Sequence, residues 1–172
     1  MAGRRRRPSV ARRSEPTRIE HDQLGALSIP ASALYGIRTA RAISNLEFSG
    51  RALGSYPAYV RALAMVKQAA ARANRDAGVI DARMLRAIEG ACGALIAGDH
   101  LDQFPADMLA GGGSIAVNMN INEVIANLAN RSMGGMIGKY SPIDSKAHVN
   151  ASQSTADVCH TAIRLTLLER WP

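Results

Sequence analysis

Between Gly111 and Asn127 the chain sets Asn118, Asn120, Asn122, Glu123 and Asn127 among small and apolar residues, with no other charged residue in the run. A segment of this kind is too apolar to sit in solvent, yet each buried amide must find hydrogen-bond partners. The fold must therefore wrap the run in a heavily bonded core or open a pocket for a polar ligand beside it. A second polar cluster, His148-Val-Asn-Ala-Ser-Gln-Ser-Thr155, follows. Together the two clusters frame the functional question.

Whether a core of the required size exists is a matter of length and composition. At 172 residues with 47% apolar content, the chain suits one domain with a buried interior. No apolar run reaches membrane-spanning length, so no membrane partner is expected. The net charge of +7 invites a nucleic-acid reading, but residues 1–16 hold six arginines against Glu15, leaving the rest close to neutral. Aromatics make up only 4% and none lies among those arginines, which offers little for base stacking, so nucleic-acid binding ranks last.

Residues 1–16 read as a disordered basic tail without the apolar core of a secretory signal. A solvated tail, a transit peptide, a misplaced start and a nucleic-acid arm all fit that composition. Cys92 and Cys159 stand far apart with no C-x-x-C spacing or nearby histidine pair, which argues against a disulfide framework or zinc site and suits a reducing, cytoplasmic setting.

Thr17–Gly50 reads as an irregular or short-strand segment punctuated by Pro30 and glycines. Helical patterning then dominates. Pro57 suits a first turn, with Val60, Leu63, Ala64, Val66 and Ala70 as an apolar stripe ending near Gly78. Asp81 is placed as an N-cap for the stripe Met84, Leu85, Ile88, Cys92, Leu95 and Ile96, with Gly98 as its stop. The spacing predicts a third helix from about Met119 to Met133 and a last one from Thr155 to Arg170. In the last, apolar residues spread around most of the circumference.

Five ordered blocks carry a family likeness. Arg18-Ile-Glu-His-Asp22, Pro30–Gly36 with Arg38-Thr-Ala-Arg-Ala42, Asp102-Gln-Phe-Pro105, Val117–Asn127 and His148–Thr155 resemble the N-terminal part of the aspartate ammonia-lyase branch of the aspartase/fumarase superfamily. The resemblance implies a mainly α fold. Residues 17–150 would form the N-terminal lyase domain, with a short-strand or irregular opening segment, and residues 151–172 would begin the central helical-bundle domain. The implied chemistry is elimination of ammonia from L-aspartate to give fumarate, with no organic cofactor and no metal. Removing a proton beside a carboxylate loads that carboxylate with charge, and preorganised donors must meet it. Fumarate hydratase is the alternative activity within the superfamily.

Residue by residue, the resemblance places substrate-carboxylate contacts on Arg41, Asn120, Ser154 and Thr155. Two further contact positions have diverged, a hydroxyl to Ile115 and an amide to Ala156, and His160 stands where proline is usual. Losing one hydrogen bond to a charged group costs about 1.5–3 kcal/mol. The superfamily's general-base serine loop, Gly-Ser-Ser-x-Met-Pro, does not occur here, so no catalytic base is assigned. The expectation is a fragment that needs a complementing lyase chain or homo-oligomer for activity. A truncated homologue that binds a dicarboxylate or a subunit without turnover is the other outcome.

Overall fold

The computed structural model describes residues 15–110 and 115–171. The basic tail through residue 14 and the glycines 111–113 with Ser114 lie outside the described residues, so the expectations placed on them carry no structural account.

The described chain opens with a hairpin. Strand β1 (Thr17–Asp22) pairs antiparallel with β2 (Gly25–Pro30), Thr17 opposite Pro30 and Asp22 opposite Gly25. Five helices follow: α1 (Ile37–Asn45), α2 (Pro57–Asp76), α3 (Ala82–Ala97), α4 (Ile115–Ser132) and α5 (Thr155–Arg170). The mainly helical architecture is the one expected from the sequence.

Local signals account for the start of α2 and both ends of α3. Pro57 occupies the first turn of α2, where a missing N–H costs nothing. The Asp81 carboxylate accepts from Met84 N at 2.7 Å, and Gly98 closes α3 with φ of 96°, a left-handed conformation that a side chain would disfavour. α2 packs against α3 and α5, while α4 packs against α3 and α1. Val60, Leu63, Ile88, Leu95, Phe104, Ile121 and Ile125 fill the shared core.

Helix α1 corrects the expectation of an irregular segment through Gly50. Its N-cap residue is Gly36, which has no side chain with which to cap it, and its capping groups arrive from elsewhere in the chain. Glu123 of α4 accepts from the backbone N–H of Gly36, Arg38 and Thr39, and Glu20 of β1 accepts from Ile37 N. Those carboxylates satisfy the orphan donors of the first turn and oppose its positive dipole end. A Cβ on Gly36 would collide with the Tyr140 hydroxyl and lie 2.9 Å from both Glu20 and Glu123, so the position requires glycine.

The Arg18 guanidinium joins the hairpin to this assembly. It pairs with Glu20 and donates to the carbonyls of Pro30, Ala33 and Tyr35. Helix α4 starts about one turn earlier than its apolar pattern predicted, at Ile115, because Ala116 and Val117 are buried with the rest of the helix.

Candidate functional site

Every residue of α4 from Ile121 to Asn130 is buried, so its polar side chains had to be partnered inside the protein. They are used as staples. Asn120 donates to Gln103 O at 2.9 Å and accepts from Ala106 N at 3.4 Å. Asn127 donates to Leu34 O and accepts from Gly138 N, both at 2.8 Å. Asn130 Nδ2 donates to Ile143 O at 2.7 Å, and Asn130 Oδ1 accepts from Ile143 N at 2.9 Å. Burial raises the Glu123 carboxyl above its ordinary range, against the opposing pull of the Thr39 hydroxyl and the α1 N–H groups.

Asn118 and Asn122 turn instead toward the second polar cluster. Asn118 Nδ2 donates to Asn150 Oδ1 at 2.9 Å and to Thr155 Oγ1 at 3.0 Å, and Asn122 Nδ2 donates to the same Asn150 oxygen at 3.1 Å. A third donor reaches that oxygen from α2: Lys67 Nζ lies 2.9 Å from Asn150 Oδ1 and 3.0 Å from Gln153 Oε1. Lys67 is fully buried, and burial lowers its amine from 10.5 to about 7. Asn118 Oδ1 and Asn122 Oδ1 are buried without a hydrogen-bond partner among the described residues. The two clusters that stood out in the sequence thus meet in one hub under the start of α5.

The expected substrate residues occupy different settings. Thr155 is partly exposed at the first turn of α5, and Ser154, its N-cap residue, is exposed with no side-chain capping bond. Ala156 is exposed beside them. Asn120 is fully buried and bonded to backbone, two residues from the hub member Asn118. Arg41 forms a two-point ion pair with Asp22, 2.8 Å at each contact, which lowers the Asp22 carboxyl and raises the guanidinium. Its fork is therefore already engaged by a carboxylate. Arg41 and Ile115 nonetheless line a single groove of about 380 Å³ together with Arg38, Ala116 and Met119.

A wider cleft of about 520 Å³ lies under the hairpin, lined by Glu20, Asp22, Arg38, Glu123, Asp144 and Lys146 among others. It holds none of the expected substrate residues, and four carboxylates make it a poor receptor for a dianion. Among the described residues, no group of three or more histidine, cysteine or acidic side chains is placed to hold a metal ion. No described helix is long and apolar enough to cross a membrane.

Lys67, Asp107 and Asn130 escaped the reading of the sequence. Lys67 falls at helical spacing on the stripe of Leu63 and Ala64, so a cation on an apolar face was the available signal. Asp107 is different. Burial raises its carboxyl, but the Ser49 hydroxyl and the N–H groups of Leu109, Ser49 and Gly50 outweigh burial and bring it to about 2. Those bonds tie the loop before α2 to the segment before α4, a pairing no local pattern announces.

The hub, the capped α1 and the hairpin define a known architecture. The protein-family model described as Lyase matches residues 25–171, and the chain belongs to this lyase family, within the aspartase/fumarase superfamily. An aspartate ammonia-lyase of Pseudomonas aeruginosa is 51% identical over 152 residues, covering 88% of this chain and 32% of the relative. A class II fumarate hydratase of Halobacterium salinarum is 46% identical over 156 residues, covering 91% and 33%. A crystal structure titled fumarate lyase:delta crystallin, from Brucella melitensis, superposes with a TM-score of 0.87 at 47% identity, covering 90% of this chain and 34% of that one. The chain spans about a third of the length of these relatives.

Proposed function

We propose that this chain supplies one wall of an aspartate ammonia-lyase site, where L-aspartate is converted to fumarate and ammonia. The observation that carries the reading is the 51% identity to an aspartate ammonia-lyase across nearly the whole chain. The chemistry of the α5 start supports it. Asn118 donates into Thr155 Oγ1, which leaves the Thr155 O–H to donate elsewhere, and the exposed Ser154 hydroxyl stands beside it. The first-turn N–H groups of α5 add dipolar attraction for an anion. A substrate carboxylate seated there would gain charge as the neighbouring proton leaves, and donors fixed in advance stabilise that change.

Arg41, Asn120, Ser154 and Thr155 are the proposed substrate residues: Ser154 and Thr155 by contact, Arg41 on exchanging Asp22 for a substrate carboxylate, and Asn120 through the placement of α4. Residues 151–172 are proposed as the beginning of a second helical domain, following the resemblance. The proton-abstracting serine loop comes from a complementing lyase chain, and the opposite wall from that chain or from further copies in a homo-oligomer. Fumarate hydratase chemistry is the second reading, favoured by the 46% identity to the Halobacterium enzyme.

Fumarate absorbs in the ultraviolet, which makes the test direct. The 172-residue chain with L-aspartate is expected to produce no fumarate alone, and to do so when mixed with the remaining two thirds of a related ammonia-lyase. Turnover by the chain alone would overturn the need for a second wall. Fumarate from L-malate but not from L-aspartate in the mixture would replace the ammonia-lyase reading with the hydratase.

A further inference from the structure

Lys67 is an expensive residue in its position. It sits fully buried on α2 with no carboxylate within ion-pair distance among the described residues, whereas a methionine would fill similar volume without desolvating a charge. The ionisable groups that face it are two thiols, Cys92 from α3 and Cys159 from α5, and burial pushes Cys92 up to about 12. The ammonium is therefore met by amide dipoles. Both of its acceptors, Asn150 Oδ1 and Gln153 Oε1, belong to the short turn that ends where α5 begins.

That turn is held by side chains as well as by backbone bonds from Ala151 N to His148 O and from Gln153 N to Asn150 O. Asn150 Nδ2 donates to Gln153 O, Gln153 Nε2 donates to the carbonyls of Val149 and Ala151, and Asn74 of α2 also donates to Ala151 O. The side-chain share of these bonds persists only while Asn150 and Gln153 keep their orientation. Lys67 grips both, and Asn150 in turn shares Asn118 with Thr155.

We propose that Lys67 is a positioning residue, whose grip on Asn150 and Gln153 fixes the turn before α5 and so aims the Thr155 and Ser154 hydroxyls. The link from those hydroxyls to a dicarboxylate rests on the function proposed above; the clamp itself does not. Stability is traded here for local order. A residue kept only for packing would behave in the opposite way.

The test is Lys67→Met in the 172-residue chain, followed by melting temperature and by backbone hydrogen exchange with and without succinate. The clamp predicts a melting temperature equal to or above that of the wild type, because a buried charge has gone. It also predicts a loss of about tenfold in exchange protection across Asn150–Asp157, the scale of one hydrogen bond to a charged group, with the Thr17–Pro30 hairpin unchanged. Asn150→Ala should instead lower the melting temperature, since it strands the ammonium, and adding Lys67→Met should restore part of that loss.

A lower melting temperature for Lys67→Met, failure of that variant to fold, or unchanged protection at Asn150–Asp157 would overturn the clamp, whatever succinate does. Succinate is expected to slow exchange in this segment of the wild type and not of Lys67→Met. If it has no effect on the wild type, the dicarboxylate reading fails, and the clamp is judged on protection and melting temperature alone.

Discussion

Thr39 donates both its hydroxyl and its backbone N–H to one oxygen of Glu123, at 2.6 and 3.2 Å, across a separation of 84 residues. The contact joins the first turn of α1 to the middle of α4, where neither group meets solvent. It explains how a short helix without a capping side chain of its own survives.

Replacing Glu123 with alanine should strand several α1 donors and lower stability by about 3 kcal/mol, as for a buried hydrogen-bonded charge that loses its partners. Urea unfolding would measure the loss, and hydrogen exchange should place it first in Ile37–Asn45. A change below about 0.5 kcal/mol, typical of an ordinary surface substitution, would show that α1 is held by packing instead.

The buried Lys67 amine gives stability a definite pH dependence. Its value is about 7 in the folded chain and 10.5 when exposed. Between these the unfolded state binds the extra proton, so stability should rise as pH increases above 7. Cys92 opposes this from pH 9, its ordinary value, because its folded value is about 12 and the unfolded thiol ionises first. Urea midpoints should therefore climb from pH 7 to 9 and level or fall beyond. In Lys67→Met the climb should vanish; its persistence would assign it to another group.

Helix α5 carries an exposed apolar face. Ile163, Leu167 and Leu168 are exposed, as is Trp171 just past the helix, and a groove of about 410 Å³ between Tyr56, Pro57, Met108, Ile163 and Leu167 adjoins them. Contiguous apolar surface of this kind drives association. The chain should self-associate with increasing concentration in light scattering, and Leu167→Lys with Leu168→Lys should suppress it. A monomer at high concentration would remove this expectation.

Legibility in the sequence followed the range of each interaction. α3 was fully legible, because Asp81, Gly98 and the apolar stripe between them all act within one helix. α1 was not, because its caps are Glu20 and Glu123, whose relation to Gly36 exists only after folding. The asparagine run was legible as a demand for partners, and the described residues answer it with a bonded core. Asn120, Asn127 and Asn130 became core staples, while Asn118 and Asn122 face the polar hub. Arg41 was read from resemblance as a carboxylate binder, and in the structure its carboxylate is Asp22. No pattern in a linear chain shows which carboxylate comes first.

The amides of α4 leave that helix a single seat. Apolar helices can rotate or slide against a greasy neighbour at modest cost, but a shift of one residue here would uncouple Asn118, Asn120, Glu123, Asn127 and Asn130 from four separate segments together. Its departure from the interior must then be concerted, so the loops it tethers should come apart as one cooperative unit rather than fray in turn.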